Sequence, residues 1–270
     1  MATLRESTCQ QSRDAGPAVL LSHVVFERGP LRLIDDASFT VPRGVICGLL
    51  APSGGGKTTL IRLITGAYVP TAGRLQVLGS APSAFSFAER RRIGYMPQQF
   101  VLYPELSVER NLDFVGSVYG LSGDQRRRRS DAVLALVDLQ TVRGRRASRL
   151  SGGMQRRLQL AATLLHQPDL ILSDEPTAGI DPLLRARIWA DFRRLRDEGR
   201  TLIVATQYVT EADYCDQLVL VNAGRVIATG SPASLRRRVY GAATVNELGA
   251  PLTFEDVFRR IIAAGGVSEE

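Results

Sequence analysis

Val45-Ile-Cys-Gly-Leu-Leu-Ala-Pro-Ser-Gly-Gly-Gly-Lys-Thr-Thr-Leu-Ile-Arg-Leu-Ile64 is the stretch whose reading decides the fold. An apolar run, Val45–Leu50, predicts a buried strand. A glycine-rich turn follows, and then Lys57-Thr58 opens a helix over Thr59–Ile64. Strand, glycine turn and Lys-Thr helix start form the arrangement of a phosphate-binding loop. Glycines let successive backbone N–H groups converge on phosphate oxygens without Cβ clashes. The helix N-terminus adds partial positive charge. Lys57 would reach the β- and γ-phosphates, and the Thr58 hydroxyl would complete a Mg²⁺ shell. The candidate phosphate-binding residues are therefore Ala51, Pro52, Ser53, Gly54, Gly55, Gly56, Lys57, Thr58 and Thr59. The plainer alternative is a glycine-rich turn that merely precedes a helix. Ala51 stands where the motif's first glycine would be. At positive φ an alanine would cost about 1–2 kcal/mol, so Ala51 is expected to end the strand at negative φ.

Composition sharpens the reading of Lys57. The chain carries 34 lysines and arginines, and Lys57 is its single lysine. A compact ammonium and a planar guanidinium are not equivalent in a phosphate cradle. At 270 residues with 44% hydrophobic content, one large domain, or one domain with a subdomain, is expected. No run of 18 apolar residues exists, so no membrane-spanning helix is expected. Residues 1–10 carry no apolar core of a leader, so a leaderless chain is expected. Cys9, Cys47 and Cys215 are scattered without metal-like spacing, which fits a reducing compartment. The net charge of +7 allows a nucleic-acid partner or an anionic membrane surface, and equally a solvated arginine-rich face. Arg126–Arg129 has no interleaved aromatics, unlike a platform for single-stranded nucleic acid.

Along the chain, residues 1–17 read as a flexible tail. Val19 to about Thr40 alternates apolar and polar residues, as strands of an antiparallel sheet do. From about 100 to 155 the pattern turns helical, over Val108–Tyr119 and Ser130–Val142. Two apolar strands follow, Leu170–Leu172 and Leu202–Ala205. Between them lies a helix with Asp181 as N-cap, Pro182 at its first position and Gly199 at its end. Leu184, Ile188, Phe192 and Leu195 form its apolar stripe. Strands alternating with helices imply an α/β fold with a mostly parallel sheet. Residues 233–270 form an arginine-rich C-terminal extension that closes with an apolar-striped segment, Phe254–Ala263.

Two further motifs carry chemistry. Asp169-Leu-Ile-Leu-Ser-Asp-Glu175 is an apolar strand ending in paired carboxylates. Asp174 can hold Mg²⁺ through water, and Glu175 can polarise an attacking water, if this strand neighbours that of the phosphate loop. An acidic pair that only caps a strand is the alternative. Leu150-Ser-Gly-Gly-Met-Gln155 opens another helix, a second glycine-flanked N-terminus suited to phosphate. The alternative there is a glycine-rich helix cap.

Taken in order, APSGGGKTT, PQQ, LSGGMQ and SDEPTAGID make residues 20–232 resemble the ATP-binding subunit of ABC transporters. The resemblance implies a P-loop NTPase core with an N-terminal antiparallel β subdomain and an inserted helical subdomain at about 100–155, within an ATPase domain of residues 18–232. It implies ATP and Mg²⁺ as cofactors, with Gln98 touching the metal. It also implies a head-to-tail dimer, homo- or heteromeric, in which Ser151, Gly152, Gly153 and Gln155 of one subunit close over the γ-phosphate held by Lys57 of the other. Asp181 would lie at the junction of the two sites. Phe100–Leu112, Tyr208–Asp213 and Thr253–Phe258 resemble the branch that serves drug, antibiotic or polysaccharide exporters.

The sequence also departs from that family. Where members carry a histidine that contacts the γ-phosphate, it reads Ala205-Thr-Gln207. An amide can donate a hydrogen bond but cannot carry charge or relay a proton. Slow hydrolysis, or dependence on a differing partner subunit, is therefore expected. Arg28 stands where an aromatic usually stacks on adenine. The guanidinium could stack there, Phe26 could reach in, or Arg28 could simply face solvent. The chain's two histidines, His23 and His166, are expected to be surface or packing residues.

The leading reading is an ATPase subunit of an export-type transporter. It would be cytoplasmic, peripheral on the inner face of the membrane, docked on a separate transmembrane permease, with no nucleic-acid partner. The alternatives are a non-transport ATPase of the same family acting on nucleic acid or a ribosome, and a weakly hydrolysing regulatory ATP-binding subunit.

Overall fold

The computed structural model describes residues 16–241, 245 and 252–266. Residues 1–15 of the expected tail and part of the C-terminal extension fall outside them. The chain divides into two compact units. One runs up to Phe85 and resumes at Tyr208, and the other is Ser86–Gln207.

The first unit opens with β1 (Val19–Arg28) and β2 (Leu31–Val41). Together with β4 (Ala72–Val77) they form an antiparallel sheet in the order β2-β1-β4. Val19 pairs with Val41 and Leu21 with Phe39, and the register then shifts before Val24. His23 sits in that shift at φ 52°. The extra residue moves the buried positions of β1 from Val19 and Leu21 to Val24 and Phe26. The other strands of this unit are β3 (Ile46–Leu50), β8 (Gln217–Asn222) and β9 (Arg225–Gly230). β3 runs parallel to β8, with Cys47 opposite Gln217 and Leu50 opposite Leu220, and β9 returns antiparallel to β8. Every residue of β3 is buried, as its unbroken apolar run requires. α1 (Lys57–Ile64) follows β3 and buries Leu60, Ile61, Leu63 and Ile64. α7 (Pro232–Tyr240) and α8 (Phe254–Ala263) complete this unit. α8 buries Phe254, Val257 and Ile261 on one face.

The second unit holds α2 (Phe87–Arg90) and the parallel strands β5 (Ile93–Met96), β6 (Leu170–Asp174) and β7 (Thr201–Thr206). Between β5 and β6 the chain forms α3 (Val108–Val118), α4 (Gly123–Leu136) and α5 (Gly152–Leu164). α6 (Pro182–Asp197) links β6 to β7. Asp181 caps α6, accepting from the Leu184 N–H at 2.9 Å. The buried stripe of α6 is Ile188, Trp189, Phe192 and Leu195, with Leu184 only half-buried. α4 differs most from the sequence reading. It starts at Gly123 rather than Ser130 and ends at Leu136. A reciprocal cap between Ser122 and Gln125 starts it seven residues earlier. Arg126–Arg129 therefore lie in the helix. Their run of like charge had hidden the helical period. Antiparallel β1, β2 and β4, mostly parallel remaining strands and interspersed helices together give the expected α/β architecture.

The two histidines differ in environment. His23 is exposed and pairs with Asp36 at 2.8 Å. His166 is buried, bonds the Ile93 carbonyl at 3.0 Å and stacks flat on Tyr119 with centroids 3.7 Å apart. Burial pushes its pKa down to about 4, against the pull of the Ile93 carbonyl and with help from the Arg91 and Arg129 charges. An unfolded histidine titrates near 6.5. Between those values the unfolded chain binds a proton that the folded chain refuses, so stability falls as pH falls through this window. By pH 5 the loss is about 2 kcal/mol. The expected result is a drop in urea midpoint from pH 7.5 to pH 5 that is clearly smaller in His166→Phe. An equal drop in both proteins would remove His166 as its source.

Candidate functional site

In the first unit, β3 delivers the chain into the loop Ala51–Gly56. The positive φ angles in this loop are those of Gly54, 75°, and Gly56, 108°. Ala51 is not among them, so alanine replaces the motif's first glycine without strain. The Gly55 N–H donates to the Pro52 carbonyl at 3.0 Å. A Cβ on Gly55 would lie 2.9 Å from the Ala51 Cβ and 3.0 Å from the Pro52 oxygen, so only glycine fits this turn. A Cβ on Gly54 would meet nothing within 4 Å, so the loop stays open on that side. Lys57 is buried, and its Nζ donates to the carbonyls of Ala51 at 2.8 Å and Pro52 at 3.2 Å. α1 has neither a side-chain cap nor an acidic residue in its first turn. Its positive end and the Lys57 ammonium therefore converge on a cradle of glycines, which fits the phosphates of a nucleotide. Thr58 and Thr59 are half-buried in that first turn.

A contact that sequence reasoning missed supports this loop. The Gly224 N–H, in the turn between β8 and β9, donates to the Gly55 carbonyl at 3.2 Å. A Cβ on Gly224 would fall 2.4 Å from the Leu33 oxygen, so this position too admits only glycine. Of the adenine candidates, Arg28 is exposed, with Nη1 3.5 Å from the Tyr68 hydroxyl. The Phe26 ring is stacked on Tyr68 at 4.9 Å and 11°. Tyr68 had no signal in the sequence reading.

In the second unit, β6 ends in Asp174, and Glu175 follows in a left-handed conformation at φ 49°. Both are buried, at 3% and 6% exposure. The Glu175 N–H donates to the Ala205 carbonyl at 2.8 Å, and the Gln207 N–H donates to Glu175 Oε2 at 3.3 Å. Gln207 thus meets the carboxylate through its backbone, while its side chain faces solvent. Gln98 is exposed and its carbonyl accepts from Arg156 Nη1 at 2.8 Å. Arg156 also bonds the Asp174 and Glu175 carbonyls. Gln98, Asp174, Glu175 and Gln207 therefore belong to one connected constellation, and Arg156 is its unanticipated hub. Burial lowers the Arg156 pKa, and the neighbouring Asp174 and Glu175 charges pull it back up.

The third constellation is the start of α5. Ser151 caps it, accepting from the Met154 N–H at 3.3 Å. Gly153 has Leu184 against it, where a Cβ would fall 2.5 Å from a Leu184 methyl. Ser151, Gly153 and Asp181 line one open cleft of about 430 Å³, together with Arg157 and Arg187. Gly152 is exposed at the same helix start. Gln155 points elsewhere, donating to the Ala147 carbonyl at 3.1 Å. The two arginines make the cleft suited to an anion, a feature their position in the sequence did not disclose. Among the described residues, no helix is long and apolar enough to cross a membrane.

Comparison with known proteins agrees with these motifs. The ABC transporter family pattern matches residues 34–178. The chain is 37% identical over 234 residues to the probable multidrug ABC transporter ATP-binding protein YbhF of Escherichia coli (strain K12). That match covers 87% of this chain and 40% of YbhF, so the chain spans well under half of that relative's length. It is 39% identical over 214 residues to the daunorubicin resistance ATP-binding protein DrrA3 of Streptomyces coeruleorubidus, covering 79% of this chain and 68% of the relative. A solved ATP-binding subunit of an ABC transporter superposes with a TM-score of 0.80 at 25% identity, over 91% of this chain and 99% of that one. With its glycine cradle, its paired carboxylates and its capped signature turn in family order, this chain belongs to the ABC transporter family.

Proposed function

We propose that this chain is the ATP-binding and hydrolysing subunit that energises an ABC-type membrane exporter. The observation that carries the reading is the glycine loop of Ala51–Gly56 around Lys57, in which Gly55 has no room for a Cβ and the Lys57 ammonium is held against the loop carbonyls. Its relatives are named for multidrug transport and daunorubicin resistance, which supports export as the direction. The transmembrane path would be supplied by a separate permease at the inner face of the cell membrane. Arg126 is tied to Asp113 and to the Leu121 carbonyl, so the arginine run is partly spent within the fold. This supports a docked ATPase rather than one that acts on nucleic acid.

Each residue has a defined part in this reading. Lys57 and the loop amides hold the β- and γ-phosphates. Thr58, Asp174 and Gln98 would hold Mg²⁺, which when bound neutralises phosphate charge. Glu175, fixed at its backbone and at Oε2, orients the water that attacks the γ-phosphorus and accepts its proton. The bond to the bridging oxygen breaks as the new P–O bond forms, leaving ADP and phosphate. Ser151, Gly152 and Gly153 answer the γ-phosphate charge of a second subunit's ATP, with Arg157 and Arg187 adding positive charge to the cleft. ATP thereby joins two chains, and hydrolysis releases them.

Four outcomes test this. Glu175→Gln should bind ATP, lose turnover and run as a dimer on size exclusion with ATP, where wild type is mostly monomer; normal turnover would sink the assignment. Lys57→Ala should instead lose ATP binding, since phosphate charge goes unanswered. Gly55→Ala should lose nucleotide affinity together with about 1–3 kcal/mol of stability, because its Cβ collides inside the loop. Nucleotide fluorescence titration and chemical denaturation read the two effects. Gln207→His restores a charge-assisted contact and is expected to raise kcat about tenfold with little change in ATP affinity. An equal or slower rate at saturating Mg-ATP would show the amide to be a competent replacement.

A further inference from the structure

Arg156 is held by the main chain through its guanidinium. It is only 8% exposed, on the second turn of α5, just beyond the Ser151–Gly153 start. All three of its guanidinium nitrogens donate to backbone carbonyls. Nε reaches Pro176 at 2.8 Å, and Nη1 reaches Pro97 at 2.9 Å and Gln98 at 2.8 Å. Nη2 reaches Asp174 at 3.2 Å and also Glu175. A guanidinium has five N–H donors, and here they meet five acceptors. Those acceptors come from two segments, the Pro97-Gln98 turn and the end of β6. Gln159, on the same face of α5, adds bonds to the Pro97 carbonyl at 2.8 Å and the Gln99 carbonyl at 2.9 Å.

Burying a cation is costly unless its donors are met, as they are here. What the arginine provides is position. Glu175 sits at φ 49°, a conformation that an L-residue holds only when its surroundings impose it. Its N–H is held by Ala205, its carbonyl by Arg156 and its Oε2 by Gln207. Of these three, only Arg156 also holds Gln98.

We infer that Arg156 is a positioning residue for hydrolysis: it locks Glu175 and the Gln98 turn to helix α5, so that movement of the Ser151 end of that helix is passed to the group that orients water. The inference rests on the reading that Glu175 acts on the water. A lysine here keeps the charge but offers one nitrogen in place of three, so it cannot span both segments.

The test uses the full chain with Arg156→Lys, and Gln159→Ala as a milder second variant. Steady-state ATPase is measured as kcat and KM, alongside ATP affinity and thermal midpoint, with Glu175→Gln as the control. Arg156→Lys is expected to keep ATP affinity and KM while kcat falls about tenfold or more, as misplacing a reacting group does. Gln159→Ala should lower kcat severalfold at unchanged KM. If Arg156→Lys does not fold, the Gln159→Ala result decides. Wild-type kcat in the folded variants, with Glu175→Gln inactive, overturns the inference alone. Turnover by Glu175→Gln overturns the reading beneath it.

Discussion

A phosphate chain presents more charge than any one side chain can answer, so backbone amides must reach it, and only a turn free of Cβ atoms lets them. In this protein that constraint is met at the end of β3. A strand buried on both faces fixes where the loop begins, and α1 fixes where it ends. Between them Gly55 is packed so tightly that a single methyl would collide, and Gly224 braces the loop from the neighbouring turn. The Lys57 ammonium is held in place by the Ala51 and Pro52 carbonyls. The rest of the first unit serves to make this short segment rigid, because a loose cradle would spend its binding energy on ordering itself.

The second unit solves a different problem. In the proposed reading Glu175 orients water, and such a carboxylate cannot swing freely, yet Glu175 stands just past the end of a strand, where the backbone turns left-handed. The conformation is held by main-chain bonds from two directions and by a buried cation from a third. The same cation fixes the Gln98 turn. Two features that look independent along the chain are therefore mechanically one, and both are carried by the helix that Ser151 begins.

The parts legible in the sequence are those whose chemistry is local. The glycine loop, the acidic strand end, the Ser151 turn and the Asp181 cap each declare themselves within a few residues. α4 was misplaced because four arginines broke its apolar period, while the Ser122–Gln125 cap that starts it carried the true signal. Trp189 took a place in the α6 stripe beside the expected Ile188, Phe192 and Leu195, while Leu184 is only half-buried. Arg156, Gln159 and Gly224 were not legible at all. Their partners are backbone atoms tens of residues away, and a carbonyl leaves no trace in the sequence. The aromatic face offered by Tyr68 was hidden for a related reason, since only the fold stacks it on Phe26.

Gln207 shows why a family position can change its side chain without losing its place. Its main-chain N–H supports the Glu175 carboxylate, and any residue except proline supplies that bond. Its side chain is exposed to solvent. Replacing imidazole by amide therefore leaves the main-chain support of the carboxylate intact. The change separates two functions that a histidine would combine. The structural one is kept by the backbone, and in the proposed reading the electrostatic one, an answer to charge that builds on the γ-phosphate, is reduced to what a neutral amide can offer.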